Sequence, residues 1–312
     1  MLSDLIMDFR HLRYFACVAE EMHFGRAALR LGMSQPPLSQ QIKLFEQRLG
    51  VQLFERTSRR VQLTPAGRAM LPLAQQAIAH VNLAFETARR ADRGEVGTLA
   101  VGFTTSAPFV PRIASELYRF RQAYPDVELQ LTELSREEQI VRLTERRLDI
   151  GIMRGFERPT LPDALRTRML TEEPMLLAMR DDHPLASKPG PLTIADLSGE
   201  PIVLYERSLG SGFNEHFLTL CLNAGFEPNI AQEASGVATL LGLVGAGFGV
   251  TVLAKSLSAL HPESITYRPI AQDDAISRLW LAHHVCMTPS CALFASAISD
   301  LAEGEVAALD DD

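Results

Sequence analysis

The pattern of apolar and polar positions in residues 27–45 predicts two short helices joined by a tight turn. Small or apolar residues recur at helical spacing on both sides of that turn: Ala27, Ala28, Leu31, Leu38, Ile42 and Phe45. Gly32 permits a sharp change of direction, Ser34 is a good N-cap, and Pro36 falls in the first helical turn, where a missing N–H costs little. We therefore predict a helix-turn-helix whose second helix begins near Ser34.

The second of these helices leaves polar side chains on its outer face, namely Gln35, Ser39, Gln40 and Lys43. Such side chains hydrogen-bond base edges and phosphates when a helix lies in the major groove of DNA. The pattern therefore indicates a DNA-reading helix. An ordinary helical hairpin inside a core is the alternative that these residues leave open.

The next segment predicts a short two-stranded ribbon, because apolar and polar residues alternate in 51–56 and again in 60–64. Basic residues gather at the tip of the ribbon: Arg56, Arg59 and Arg60. A charged turn is often just solvated. A basic ribbon beside a helix pair is instead typical of a wing that contacts phosphates or the minor groove, which favours DNA binding.

Residues 65–93 predict a long helix that begins at Thr64 and Pro65, a capping residue followed by a proline at the first helical position. Apolar residues follow at alternating steps of three and four: Leu71, Ala74, Ile78, Val81, Phe85 and Ala88. That spacing is a heptad seam, which favours a dimerising linker helix. A dimer would place two reading helices on successive major grooves. An amphipathic helix lying on its own domain is the alternative.

Beyond the polar linker 89–95, strand and helix patterns alternate through two similar runs. The first run, 98–153, reads βαβαβ and predicts a mostly parallel sheet with helices on both faces. The second run begins at the strand 174–179, and the chain then returns through 267–270 and 278–284 to a last helix. We predict two α/β lobes with a cleft between them. The expected boundaries are: winged domain 1–64, linker helix 65–93, effector-binding domain 94–302 (lobe I 97–169 and 271–302, lobe II 170–270) and an acidic tail 303–312.

The charge of the chain is divided unevenly. The net charge is −8 for all 312 residues, but residues 1–93 carry a net charge of +5 and the rest carries −13. This division predicts that only the front of the chain contacts nucleic acid.

Targeting and metal-binding signals are weak. No run of about 18 apolar residues predicts a membrane span, and the first ten residues lack a signal-peptide pattern, so we expect a cytosolic protein. The four cysteines, Cys17, Cys221, Cys286 and Cys291, are scattered and expected to be reduced. His283 and Cys286 suggest a metal site only weakly, because the paired short spacings of zinc sites are missing. We expect neither a metal nor a cofactor.

Five motifs follow one another in a specific order and spacing: Leu12–Phe15, Phe24–Ala28, Ser34–Ser39, Leu49–Arg56 and Leu63–Gly67. With these motifs the chain resembles the LysR-type transcriptional regulators, and the resemblance covers nearly its whole length. The resemblance implies an N-terminal winged helix-turn-helix, a linker-helix dimer and a C-terminal effector domain built like periplasmic binding proteins. It also implies homotetramers, RNA polymerase as a partner, and activation of a divergently read operon by a small metabolite.

By position, the residues that match the family's DNA-contacting places are Gln35, Pro36, Ser39 and Arg59. Gln40 stands where close relatives often have arginine, which affects the expected base preference. Phe45 replaces a usual leucine, and Ala254 stands where a proline usually follows the glycine-rich turn. These two departures concern packing and local geometry.

Ligands of open α/β lobes bind outside the carboxyl ends of the strands, against helix N-termini. Three hydroxyls follow the first strand of the effector domain: Thr104, Thr105 and Ser106. Ser135 begins the next helix, where the alternative is a capping box with Glu138. Arg154 follows a strand, and either a ligand carboxylate or a surface ion pair could engage it. Phe213 either stacks on a flat ligand or belongs to the core. These residues suit a small carboxylate, and the resemblance to regulators of aromatic-acid catabolism suggests muconate-type or aromatic-derived acids.

Two other classes of function, an enzyme and a thiol redox sensor, fit the sequence less well. For an enzyme, no Ser-His-Asp order, phosphate loop or paired carboxylates occur at convincing spacing, so no catalytic residue is predicted. The glycines of 245–249 follow a helix and precede a strand, the reverse of a dinucleotide-binding turn. For a thiol redox sensor, the loop 206–213 holds no cysteine and Cys221 lies in an apolar helix run. The sequence therefore predicts a DNA-binding regulator controlled by a small molecule.

Overall fold

A computed structural model describes residues 9–56, 60–206 and 212–306; the side chains of residue 56 and of 299–306 lie outside the described part. The chain divides into two compact units, Met1–Arg89 and Arg90–Asp312. Among the described residues, no helix is long and apolar enough to cross a membrane.

The first unit is mainly helical. Its elements are α1 (Phe9–Glu21), α2 (Phe24–Arg30), α3 (Gln35–Leu49), β1 (Phe54–Arg56), β2 (Val61–Leu63) and α4 (Pro65–Asp92), the last of which runs three residues into the second unit. The predicted helix-turn-helix, ribbon and long helix are confirmed. Gly32 and Gly50 adopt left-handed backbone conformations after α2 and at the end of α3. Ser34 precedes α3 as predicted, but its side chain makes no capping hydrogen bond.

Aromatic rings hold the core of the first unit together. Leu38, Ile42 and Phe45, the predicted inner face of α3, are fully buried. Phe15 of α1 lies 6.4 Å from Phe45 and 5.5 Å from Phe54 between ring centroids. Because Phe54 opens the ribbon β1–β2, the same core packs four helices and the base of the ribbon.

The second unit contains the alternating strands and helices. They are β3 (Gly97–Phe103), α5 (Pro111–Ala123), β4 (Val127–Glu133), α6 (Arg136–Thr144), β5 (Ile150–Gly155), β6 (Leu165–Arg180), β7 (Pro201–Tyr205), α7 (Phe213–Asn223), β8 (Asn229–Ala234), α8 (Val237–Gly245), β9 (Thr251–Ala254), β10 (Ile265–Pro269), β11 (Ile276–His284) and α9 (Pro289–Val306).

Within the described residues, a seven-stranded sheet runs in the order β10-β6-β11-β5-β3-β4, with β9 also paired to β6. The predicted βαβαβ run is parallel, since β3 pairs in parallel with β4 and β5. The rest differs from the mostly parallel prediction, because β6 and β11 make antiparallel pairs. A further parallel pair joins β7 and β8. The unit is therefore a mixed α/β fold.

Strand β6 accounts for most of the difference from the prediction. It is 16 residues long, whereas the sequence pattern predicted only its second half. Four of the nine residues 165–173 are charged, which hid the first half of the strand. The first half pairs with β11 and the second half with β9 and β10, and the register shifts near Leu170. The predicted lobe boundary at 169/170 thus falls inside one continuous strand.

Candidate functional site

A cavity of about 650 Å³ opens in the second unit. All six residues predicted to contact an effector line it: Thr104, Thr105, Ser106, Ser135, Arg154 and Phe213. The other lining residues are Glu133, Leu134, Glu138, Tyr205, Leu253, Ala254 and Leu257. Most of these residues lie at or just beyond the carboxyl ends of β3, β4, β5, β7 and β9, where open α/β folds bind ligands.

The turn after β3 forms one polar wall of the cavity. The backbone N–H of Thr104 donates to the carbonyl of Ile152 at 3.0 Å, which holds the turn against β5. The Thr104 Oγ1 atom is buried and has no hydrogen-bond partner in the described part of the chain. The Thr105 hydroxyl instead donates to the carboxylate of Glu133. A buried hydroxyl without a partner is costly, and the Thr104 hydroxyl can hydrogen-bond to a polar group that enters the cavity.

The start of α6 is occupied by its own capping box. The Ser135 hydroxyl accepts a hydrogen bond from the backbone N–H of Glu138 at 3.2 Å, and the Glu138 carboxylate accepts one from the backbone N–H of Ser135 at 3.1 Å. The backbone N–H and the hydroxyl of Ser135 both donate to the Glu138 carboxylate and hold its pKa below the usual value. Ser135 lines the cavity, but its hydroxyl serves its own helix, which is the alternative left open by the sequence.

Arg154 lies at the floor of the cavity and is almost fully buried. Its guanidinium donates to the hydroxyls of Ser106 and Ser277 at 2.7 and 2.8 Å and to the Glu173 carboxylate at 2.7 Å. Glu173 also accepts from the backbone N–H of Ser256 at 2.6 Å. Burial lowers the pKa of Arg154, and the nearby Glu173 opposes that shift. The expectation of a surface ion pair was therefore wrong, because the pair is buried.

Phe213 belongs to the core as well as to the cavity wall. It is 3% exposed, and its ring centroid lies 5.6 Å from that of Phe156 and 6.1 Å from that of Tyr205. Burial raises the pKa of the Tyr205 hydroxyl, opposed by the charge of Arg154. Phe213, Tyr205, Leu253 and Leu257 therefore form the apolar part of the cavity lining.

The predicted DNA-reading residues of α3 lie at the surface of the first unit. Gln35, Pro36, Gln40 and Lys43 are exposed, and Ser39 is half-buried. Arg60, beside the ribbon tip, is exposed. Arg59 and the side chain of Arg56 lie outside the described residues. The structure therefore presents a polar outer face of α3 on the same unit as the ribbon.

The predicted dimer seam divides into two parts. Ala74 is buried in the core of the first unit and Leu71 packs against that core, so in the single chain both residues already contribute to this core. They lie close to the helix-turn-helix and complete its core. Ile78 and Val81 are half-buried, and Phe85 is 60% exposed. In the single chain, the exposed large apolar side chains of α4 are Leu73, Leu83 and Phe85.

The alternatives of a metal site and a thiol redox sensor both concern His, Cys and acidic side chains. In the described part of the chain, no group of three or more His, Cys, Asp or Glu residues could hold a metal ion. Cys17, Cys221 and Cys291 are buried, and burial raises the pKa of Cys221 to about 11 and that of Cys291 to about 12. Because the thiolate is the reactive form, these three buried thiols are poor redox sensors, whereas Cys286 is exposed.

Two family models match the chain. One is described as "LysR substrate binding domain" and matches residues 92–301. The other is described as "Bacterial regulatory helix-turn-helix protein, lysR family" and matches residues 9–68. The two matches correspond to the second unit and to the helix-turn-helix part of the first unit.

Several transcriptional regulators are similar over most of the chain. YnfL of Escherichia coli (strain K12), described as an uncharacterized HTH-type transcriptional regulator, is 43% identical over 281 residues, which is 89% of this chain and 93% of YnfL. AlsR of Bacillus subtilis (strain 168) is 41% identical, with 85% and 86% covered. BenM of Acinetobacter baylyi is 35% identical, with 88% and 90% covered. The predicted resemblance to regulators of aromatic-acid catabolism in particular is therefore supported only in part, since YnfL and AlsR match at higher identity than BenM.

Solved structures match the whole fold. The crystal structure of CbnR, a LysR family transcriptional regulator, has a TM-score of 0.83 at 28% identity, with 94% of this chain and 100% of that chain covered. Full-length CbnR complexed with its target DNA has a TM-score of 0.79 at 27% identity, with 94% and 99% covered. The predicted fold class is therefore confirmed.

Proposed function

Because the chain belongs to the LysR family of DNA-binding transcriptional regulators, we propose that a small carboxylate in the cavity of the second unit switches its promoter occupancy and DNA bending. The observation that carries this proposal is the cavity itself. It joins a turn of hydroxyls, a helix N-terminus and a buried guanidinium to the apolar part of the lining. The family and the similar proteins are transcriptional regulators and not enzymes, so no enzymatic activity is proposed.

The cavity supports a ligand with one carboxylate and an apolar body. Its volume of about 650 Å³ falls in the range of small-molecule sites. Thr104, with its unpartnered hydroxyl, and the N-terminus of α6 favour an anion. Phe213 and Leu257 would contact the apolar part. Because Glu133 and Glu138 line the same cavity, a single negative charge is favoured over a muconate-type dicarboxylate.

The outer face of α3 is proposed to read DNA in the major groove through Gln35, Pro36, Ser39, Gln40 and Lys43. The ribbon tip, with Arg56, Arg59 and Arg60, is proposed to contact the backbone or the minor groove. The exposure of these α3 side chains and the similarity to DNA-bound CbnR support this assignment.

The second half of α4 is proposed to pair with its copy in a homodimer. Ile78, Val81 and Phe85 keep heptad spacing and remain at least partly exposed in the single chain, which is unfavourable unless another apolar surface covers them. From the family resemblance we further propose that the dimers assemble into homotetramers. The protein would contact RNA polymerase and act as an activator.

Switching is proposed to work as a population shift between arrangements of the two lobes, which β6 joins. A ligand shifts such an equilibrium only by its difference in affinity for the two states. Changing a DNA bend by tens of degrees is worth a few kcal/mol on smooth-bending estimates, about the size of one good ligand contact.

Thermal-shift screening of the full chain against small organic acids tests this proposal. A ligand that binds the folded state raises the melting temperature in proportion to the logarithm of its concentration. We expect monocarboxylates with an apolar body to stabilise the protein more than dicarboxylates. The binding acid should then change the footprint on duplexes selected by the wild-type chain. A panel without any stabilising acid, or a binder that leaves the footprint unchanged, would contradict the proposal.

A further inference from the structure

One buried carboxylate of the first unit has no part in the proposed reading of bases. Glu46 lies on the inner face of α3, at helical spacing from Leu38 and Ile42, and it is buried. Its Oε1 atom accepts hydrogen bonds from the backbone N–H groups of Leu53 and Phe54 at 2.9 and 3.0 Å. A single side-chain oxygen of the reading helix therefore holds the chain where it enters the ribbon.

The same short segment is held from its other side by the start of α4. The backbone N–H of Thr64 donates to the carbonyl of Leu53 at 2.9 Å, and the Thr64 hydroxyl donates to the carbonyl of Gln52 at 2.7 Å. Gly67 lies so close that a Cβ atom there would be 2.2 Å from the Leu53 carbonyl oxygen. Residues 52–54 are thus clamped between α3 and α4.

The ribbon itself is too short to set its own direction. Strands β1 and β2 have three residues each, and an isolated hairpin of this kind is marginally stable at best. The buried side chains of Leu53 and Phe54 fix how deeply the ribbon is anchored. Hydrogen bonds are directional, so the two bonds to Glu46 fix the angle at which the ribbon leaves α3.

We propose that Glu46 is a positioning residue for DNA recognition: it sets the spacing between the contacts of α3 in the major groove and the contacts of the ribbon beside it. This inference rests on the proposed DNA contacts of both elements. It assigns a role in DNA affinity to a side chain that touches no DNA.

The sign of the effect separates this role from simple electrostatics. DNA is a polyanion, so removing a negative charge from a DNA-binding unit strengthens binding when nothing else changes. Loss of Glu46 should weaken binding instead, because the ribbon loses its direction. Glu55 is a matched control, since it is an exposed carboxylate on β1 of the same ribbon.

The experiment uses the full chain and a duplex selected by the wild-type protein from a random library. Affinity and hydroxyl-radical footprints are measured for Glu46→Ala, Glu46→Gln and Glu55→Ala. We expect Glu46→Ala to lose roughly tenfold in affinity, the size of one hydrogen bond to a charged group. It should also lose protection at the flanks, where the ribbon binds, and keep it at the centre. Glu46→Gln should stay near wild type, because its amide oxygen can accept both N–H groups, and Glu55→Ala should bind as well or better.

Several results would overturn the inference. Glu46→Ala with intact flank protection, or Glu46→Gln as weak as Glu46→Ala, would show that the acceptor does not position the ribbon. Loss of central and flank protection together, in proportion to unfolding in a thermal melt, would show a purely structural role. If Glu46→Ala does not fold, Glu46→Asp keeps the charge on a shorter side chain and should lose flank protection alone. A wild-type chain without flank protection would overturn the ribbon contact of the proposed function, and the inference with it.

Discussion

The proposed DNA-reading face of α3 and the cavity of the second unit place their polar side chains in opposite ways. In the first unit, α3 presents Gln40 and Lys43 to the outside, and neither contributes to the core. In the second unit, Arg154 and Glu173 point inward and form part of the packed structure around the cavity. Substitutions on the outer face of α3 should therefore change DNA affinity without changing the stability of the first unit. Substitutions of Arg154 or Glu173 should change ligand affinity and the stability of the second unit together.

The largest effect is expected from breaking the buried ion pair. Arg154→Met leaves Glu173 without its cation, which typically costs about 3–5 kcal/mol of unfolding free energy. Urea unfolding of the full chain, followed by a probe of the second unit, measures this loss. The double variant Arg154→Met/Glu173→Leu should recover much of it, because no unpaired charge remains. If the unfolding free energy of Arg154→Met lies within about 1 kcal/mol of wild type, the polar side chains of the cavity do not stabilise the second unit as proposed.

The next largest effect concerns the exposed half of α4. Phe85→Asp should cost about 2 kcal/mol or more of dimer stability, because a charge would replace an apolar contact at the proposed seam. Light scattering across a dilution series measures the dimer. Thr87→Asp adds the same charge on the opposite face of the helix and should leave the dimer intact. Equal dissociation of both variants would contradict the assignment of the seam.

Thr104→Val tests whether a residue that lines the cavity can change ligand affinity without changing the unfolding free energy. The Thr104 hydroxyl has no partner among the described residues, so its loss should leave the unfolding free energy nearly unchanged. The affinity for an acid found in the thermal-shift screen should fall by roughly tenfold. Thr251→Val is the matched control, because its Oγ1 atom is also buried without a partner in the described structure but lies outside the cavity. Unchanged affinity in Thr104→Val would remove Thr104 from the proposed site.

The smallest effect is expected at the surface of the first unit. Lys43→Ala should lower the slope of log K against log salt concentration by about 1, because one phosphate contact is lost, with stability unchanged. Lys43→Arg keeps the charge and should keep the slope. Titrations of a selected duplex at several salt concentrations measure it, and a slope that stays the same in Lys43→Ala would mean that Lys43 contacts no phosphate.

Local periodicity made the first unit and the βαβαβ run of the second predictable. The outer face of α3 follows from its own repeat, and Thr104 and Ser106 could be placed because they directly follow a strand. The partner of Arg154 could not be found, because Glu173 lies in the charged half of β6 that does not look like a strand. Ser256 and Ser277 are distant in sequence and come together with Arg154 only through the fold.

Two features of the first unit, the burial of Ala74 and the role of Glu46 in packing, could not be predicted from the sequence. The heptad spacing of α4 does not tell which turns face a neighbouring domain, so Ala74 could not be distinguished from Phe85. For Glu46 a signal was present, since a carboxylate at an apolar-face position of a helix needs a buried hydrogen-bond donor. The donors are backbone groups, however, and backbone groups carry no signature in side-chain patterns.

The difference in exposure between the four cysteines allows the protein to be labelled at one site. Cys17, Cys221 and Cys291 are buried with raised pKa values, whereas Cys286 is exposed. A maleimide dye should therefore attach to Cys286 alone in the native wild-type chain, without any engineering. A fluorophore there would report distances between labelled copies in solution, and so follow assembly and its response to added acids in real time.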